Sequence, residues 1–163
     1  MRLPPARMRR VVLPALMLAC ALAGPVFAIP FVGKGGGKVT VTLVGLPECN
    51  NCGTGSPSAL KVRMFAVADS TAIRTVLNNK TLSWSKQLDA AAANMLGKPV
   101  EEFVGPGATK TVAVPRDPKA TAIVIQGNFC KKSGAAWYVV HPAKKKQVKL
   151  EAGATGFQLT PRK

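Results

Sequence analysis

The chain has 163 residues, room for one domain of ordinary size and an N-terminal extension. Hydrophobic residues make up 47% and aromatics only 6%, the composition of a soluble globular domain whose β-rich core is built from Val, Leu, Ile and Ala. Lys and Arg number 23 against 7 Asp and Glu, a net charge of +16, or +12 without the leader arginines Arg2, Arg7, Arg9 and Arg10. That charge suits acidic polymers, anionic lipid headgroups or an acidic partner. Nucleic-acid binding would need a reading motif or basic strands interleaved with aromatics. The basic residues sit at strand ends and turns, so nucleic acid is not an expected partner.

Residues 1–28 have the form of an export signal. A basic stretch, MRLPPARMRR, leads into the apolar VVLPALMLACALAG, with small residues following. The apolar run is shorter than the roughly 20 residues a membrane-spanning helix needs. Two processing sites compete. Met17-Leu18-Ala19-Cys20 resembles a lipobox, with Met where Leu is usual, and Cys20 would become the lipidated first residue. Val26-Phe27-Ala28 fits ordinary small-x-small cleavage, which would discard Cys20. Residues 29–38, rich in glycine, read as a flexible lead-in, and residues 39–163 as the domain.

VTVTLVGL (Val39 to Leu46) alternates apolar and polar residues, as a half-buried strand requires. LKVRMFAV (60–67) repeats the pattern, with Lys61 and Arg63 as outward residues. Between them PECNNCGTGSPSA holds two prolines, two glycines and two cysteines, so neither strand continues through it. It is longer than a usual hairpin loop, and such loops in compact domains tend to be functional or disordered; the functional reading makes it the leading candidate for a working surface. Asn50, Asn51, Gly53, Thr54 and Gly55 are therefore the candidate partner-binding residues.

A short helix is expected over 69–80, capped by Asp69 or Ser70, with Ile73, Val76 and Leu77 at helical spacing. TLSWSKQLDAAAANMLGK reads as irregular or partly helical, Trp84 and Leu88 sharing a face. Strands follow at EEFV (101–104), TKTVAV (109–114), TAIVIQGNF (121–129) and AAWYVVH (135–141), then QVKLEAG and TGFQLT. Seven or eight short strands at regular spacing, with one helix inserted, indicate an all-β antiparallel sandwich.

The order of several segments resembles the type VI secretion lipoprotein family TssJ. The residues that carry it are LKVRMFAV before a helix, then Glu101, Glu102, Phe103, Pro106 and Gly107, then Phe129, Trp137, Val139 and Val140. The resemblance spans roughly Val39 to Pro161 and implies a transthyretin-like sandwich at the periplasmic face of the outer membrane. It further implies a non-catalytic assembly role through binding the periplasmic region of the inner-membrane protein TssM, and a lipid on Cys20. It implies no cofactor and no small-molecule substrate. A different class remains open from the residues alone: a periplasmic sandwich that binds carbohydrate or cell-wall polymer through its basic turns.

Cys49, Cys52 and Cys130 remain in the exported domain, and an oxidising periplasm favours a disulfide among them. Cys49-x-x-Cys52 lacks the following helix of a thioredoxin-like centre and the following His of a haem site. A zinc site from the three cysteines and His141 has no supporting spacing, so no metal is expected. A Cys52–Cys130 bridge would close a long loop, whereas a Cys49–Cys52 bridge would stiffen only the local one; the sequence leaves both open. No catalytic motif accompanies His141, the lone histidine, and adjacent Glu101 and Glu102 point to opposite faces of a strand. Lys144, Lys145, Lys146 and Lys149, with Lys131 and Lys132, read as solvated turns that discourage edge pairing rather than as a lipid-facing patch.

Overall fold

The computed structural model describes residues 36–160 except Thr54, Lys80 and Ala135. The export signal, Cys20, most of the lead-in and Thr54 therefore lie outside the described residues. Two four-stranded sheets pack face to face. One has the order β4-β1-β7-β8, from β1 (Gly37–Gly45), β4 (Thr109–Arg116), β7 (Gln147–Ala152) and β8 (Phe157–Leu159). The other has the order β3-β2-β5-β6, from β2 (Leu60–Val67), β3 (Met95–Val104), β5 (Ala122–Gly127) and β6 (Tyr138–Pro142). The all-β sandwich read from strand spacing is the fold, with one departure from a purely antiparallel arrangement. β1 runs parallel to β7, Val41 opposite Val148 and Leu43 opposite Leu150.

Alternation explains the core. Val39, Val41 and Leu43 of β1 are fully buried, as are Val62 and Met64 of β2, Ile123 and Ile125 of β5 and Leu150 of β7. These apolar faces meet between the sheets, where burial of each large side chain contributes roughly 1.5–3 kcal/mol.

β2 is buried on both faces, because helices cover the outer side of its sheet. α1 (Ser70–Asn78) begins where Asp69 Oδ1 accepts hydrogen bonds from the backbone N–H of Thr71 and Ala72, and it buries Ile73 and Leu77. A second helix, α2 (Trp84–Ala91), runs into a 3-10 turn at Ala92–Asn94, where a single helix was expected. A row of residues across the sheet, Glu101, Arg63, Gln126 and Tyr138, faces these helices. Arg63 Nη1 donates to Trp84 O at 3.2 Å, Gln126 Nε2 to Gln87 Oε1 at 2.8 Å, and Tyr138 Oη to Asn78 Oδ1 at 2.7 Å. Arg63, expected to face outward, is consequently 5% exposed. Its guanidinium stacks on the Trp84 ring at 4.4 Å, and its Nε donates to Glu101 Oε1 at 2.9 Å. A buried arginine is tolerable only with such a carboxylate and acceptor set. β3 begins six residues earlier than EEFV suggests and contains Pro99, which an edge strand can hold because its missing N–H leaves no ladder bond unmade.

Candidate partner-docking site

Three loops meet at the sandwich end where β1 finishes and β2 begins. The first, residues 46–59, leaves β1 by a tight turn in which Cys49 N–H donates to Leu46 O at 2.9 Å. The Cys49 side chain turns inward and is fully buried. Burial pushes its thiol pKa up, and nearby Glu48 adds to the effect, so the sulfur stays protonated and unreactive.

Asn50 organises the site. Its backbone adopts the left-handed conformation at φ 48°, which Asn tolerates better than other residues with a side chain. Its N–H donates to Gly153 O at 3.0 Å, reaching the β7–β8 loop. Its Nδ2 donates to Ser58 Oγ at 3.0 Å and Ala59 O at 3.1 Å, closing its own loop. Its Oδ1 accepts from the Cys130 N–H at 2.8 Å, tying in the β5–β6 loop. One side chain thus bonds two loops directly while its backbone holds a third.

The disulfide joins Cys52 to Cys130, with Cα atoms 5.0 Å apart, and Cys49 is the free thiol among the described cysteines. Bridging residues 78 apart in sequence contributes about 4–5 kcal/mol in the chain-entropy view. Two sulfurs of the zinc set weighed above are therefore bonded to each other, and no group of three or more His, Cys, Asp or Glu able to hold a metal occurs among the described residues.

Beyond these anchors the loop tip is open. Asn51 is half-buried, its Oδ1 accepting from Gly53 N–H at 2.9 Å, and Gly53, Gly55, Ser56 and Pro57 are exposed. Gly53 adopts φ 91°, and a Cβ there would meet the Lys131 ammonium, so that lysine lies directly against the tip. Lys132 places its ammonium 4.2 Å from the centre of the Trp137 ring, and partial burial lowers its pKa. Ser133 N–H donates to Thr155 O and Phe157 N–H to Ala136 O, at 3.2 and 2.7 Å, fastening this loop to the β7–β8 loop.

Of the five expected contact residues, Asn51, Gly53 and Gly55 stand at the accessible tip. Asn50 does not. It is 5% exposed and its polar atoms are spent inside the chain, so its assignment as a contact residue is corrected to that of a loop anchor. Asn50 and Cys52 both hold the loop, so an exchange of residues 50–55 would also disturb the fold. Sequence reading also missed the Lys132–Trp137 stack. Its only local signal is a basic pair shortly before a tryptophan.

Among the described residues the arrangement contains no acid–base or nucleophilic constellation. His141 lies at the other end of the domain, buried, with Nε2 3.1 Å from Lys145 O. His141 also lines an open groove of about 1030 Å³ with residues such as Thr40, Thr42, Lys146 and Lys149, where its Nε2 meets the Lys145 carbonyl.

The family model of the type VI secretion lipoprotein, described as VasD, EvfM and TssJ, matches residues 37–160, nearly all of the described domain. The chain belongs to this family. It is a structural family rather than an enzyme family, and its members are lipoproteins of the type VI secretion system, which places the chain in the cell envelope. Solved structures show the same fold. The lipoprotein TssJ1 of Pseudomonas aeruginosa is 14% identical at a TM-score of 0.63, over 77% of this chain and 96% of that one. Lip of Serratia marcescens, described as a membrane-bound component of the type VI secretion system, is 14% identical at a TM-score of 0.61, over 77% and 97%. A chain in the structure described as the TssM C-terminal domain (869-1107) from EAEC is 14% identical at a TM-score of 0.64, over 77% and 98%. No curated protein matches the sequence.

Proposed function

We propose that this protein is a non-catalytic assembly component that binds the periplasmic domain of a TssM-like inner-membrane protein through the tip of the 46–59 loop and the neighbouring Lys131. The single observation that carries the reading is the loop's construction. Its tip is irregular and exposed, yet its base is fixed by the Cys52–Cys130 bond and by Asn50, so binding has little conformational freedom left to remove. The match within the TssM structure supports the choice of partner. It covers 98% of a chain only about half as long as the span 869–1107, as expected of a separate TssJ-sized chain accompanying the TssM domain. The same reading assigns residues 1–19 to an export signal cleaved before Cys20, and Cys20 to lipid attachment, holding the domain at the inner face of the outer membrane.

The decisive experiment alters the tip and spares its anchors. The triple variant Asn51→Ala, Ser56→Arg, Pro57→Arg should fold normally by circular dichroism. Calorimetry against the TssM periplasmic domain should show at least a tenfold loss of affinity, about 1.4 kcal/mol. Unchanged affinity in the folded variant moves the contact to another surface. Cys20→Ser should in turn abolish fatty-acid labelling and release the protein from the outer-membrane fraction; a mature N-terminus at Ile29 would refute lipidation.

A further inference from the structure

Lysines gather at the end of the sandwich opposite the three loops, where the chain enters the domain. β1 starts at Gly37, paired with Arg116 at the finish of β4, and Thr40 pairs with Gln147 at the start of β7. Thr40 N–H donates to Lys146 O at 2.8 Å, Arg116 Nη1 to Ala143 O at 3.0 Å, and Ala143 N–H to Thr121 O at 3.0 Å. These bonds draw together the first described residues, the β4–β5 turn and the β6–β7 turn. On them Lys38, Lys119, Lys144, Lys145 and Lys146 are exposed. The carboxylates nearby offset only part of this charge. Asp117 accepts from the backbone of Lys119 at 2.7 Å, and Asp69 caps α1. The ion pairs among the described residues are those of Glu101 with Lys61 and Arg63, elsewhere on the sandwich.

Guarding an exposed strand edge does not account for this group. Lys38 heads β1, an interior strand of its sheet, and the other four sit in turns, not along an edge. Clustered ammonium groups also repel one another, a cost that a counter-charged surface would remove. We propose that this end of the sandwich rests on an anionic lipid surface, its lysines meeting phosphate headgroups. The inference rests on the reading that the chain is held at a membrane through residues ahead of β1. The two features then act together, because a chain already held at the surface keeps its ammonium groups within reach of anionic headgroups, each adding about 1 kcal/mol of attraction. The few residues between Cys20 and Gly36 keep the lysines within roughly 60 Å of an anchored lipid even if fully extended. Headgroup contact would fix the domain's orientation, with the disulfide-stapled loops directed away from the bilayer.

The exported chain carrying Cys20→Ser, which leaves no thiol for lipid attachment, tests the surface without the anchor. It should partition onto phosphatidylethanolamine/phosphatidylglycerol vesicles and not onto phosphatidylcholine vesicles, with binding falling as salt is raised. Adding Lys144→Gln, Lys145→Gln and Lys146→Gln should weaken that partition at least tenfold, about fivefold being expected for each charge near such a surface. The same variant should keep its affinity for the TssM periplasmic domain, whereas the loop-tip variant should do the reverse. Equal partition to both vesicle types, or no change on removing the three lysines, overturns the proposal. A loop-tip variant that keeps its TssM affinity overturns only the proposed partner site.

Discussion

Replacing Asn50 with alanine should destabilise the whole domain, not merely loosen a loop. The substitution removes the acceptor of the Cys130 N–H and the donor to Ser58 Oγ and Ala59 O. Leaving the part-buried Cys130 N–H without a partner costs about 1–3 kcal/mol, and the other bonds are worth about 0.5–1.5 kcal/mol each. Alanine at φ 48° adds about 1 kcal/mol that asparagine largely avoids. Some of these costs overlap as the loop relaxes, so the expected loss is about 3 kcal/mol, a large fraction of a typical domain's stability. Urea unfolding under non-reducing conditions, followed by the fluorescence of buried Trp137, should show a midpoint lower by about 1–2 M. Asn50→Gly separates the causes, since glycine accepts the left-handed backbone but makes no side-chain bonds, and should recover about 1 kcal/mol. An alanine variant within about 0.5 kcal/mol of the parent would refute the anchoring role of Asn50. A glycine variant no better than alanine would refute the backbone part of the argument.

Cys49 should resist thiol reagents in the native protein and react as a single thiol after denaturation without reductant, with three thiols appearing in the domain on reduction; rapid labelling of Cys49 in the folded state would contradict its complete burial. For Glu101, the hydrogen bond from Lys61 and the further bond and charge of Arg63 hold the carboxyl below its ordinary value of 4.5. A depressed folded-state pKa contributes stability that is fully present above the unfolded value and is lost as pH falls from about 4.5 through the lower folded value. Glu101 is partly exposed, so the effect is screened to about 1 kcal/mol or less. Glu101→Gln should therefore flatten the stability profile below about pH 4.5 and leave its shape near pH 7 unchanged, which urea midpoints across pH would read.

Features that a strand carries locally were legible in the sequence. β2 falls on the 60–67 segment that its alternation marks, and β1 lies within two residues of the expected one, because a half-buried strand must alternate. The helix at Asp69 was legible because a cap is a short-range bond. Features created by distant parts of the chain were not. Arg63 has the alternation of an outward residue, and only the docking of α2 buries it. The parallel pairing of β1 with β7 joins segments about a hundred residues apart and leaves no local mark. Asn50 looked like any turn asparagine, since the N–H that fixes its side chain belongs to Cys130, 80 residues away. The same distance separates sequence legibility of the cysteines as a pair-forming set from the choice of which two are joined.

Strand direction gives the two ends of the domain different tasks. β1 runs from Gly37, beside the lysine-bearing turns, to Gly45, beside the stapled loops. Nine extended residues span roughly 30 Å. The chain therefore enters at one end and presents its exposed loop tip a full strand length away. Had the disulfide-bearing loop followed an even number of strands, it would lie at the entry end and compete with the proposed membrane surface for space. Coming after the first strand, it projects away from the point of entry. The Cys52–Cys130 bond then acts where an exposed loop at the far end most needs support, because the strands beneath it end and their ladders can no longer hold the backbone.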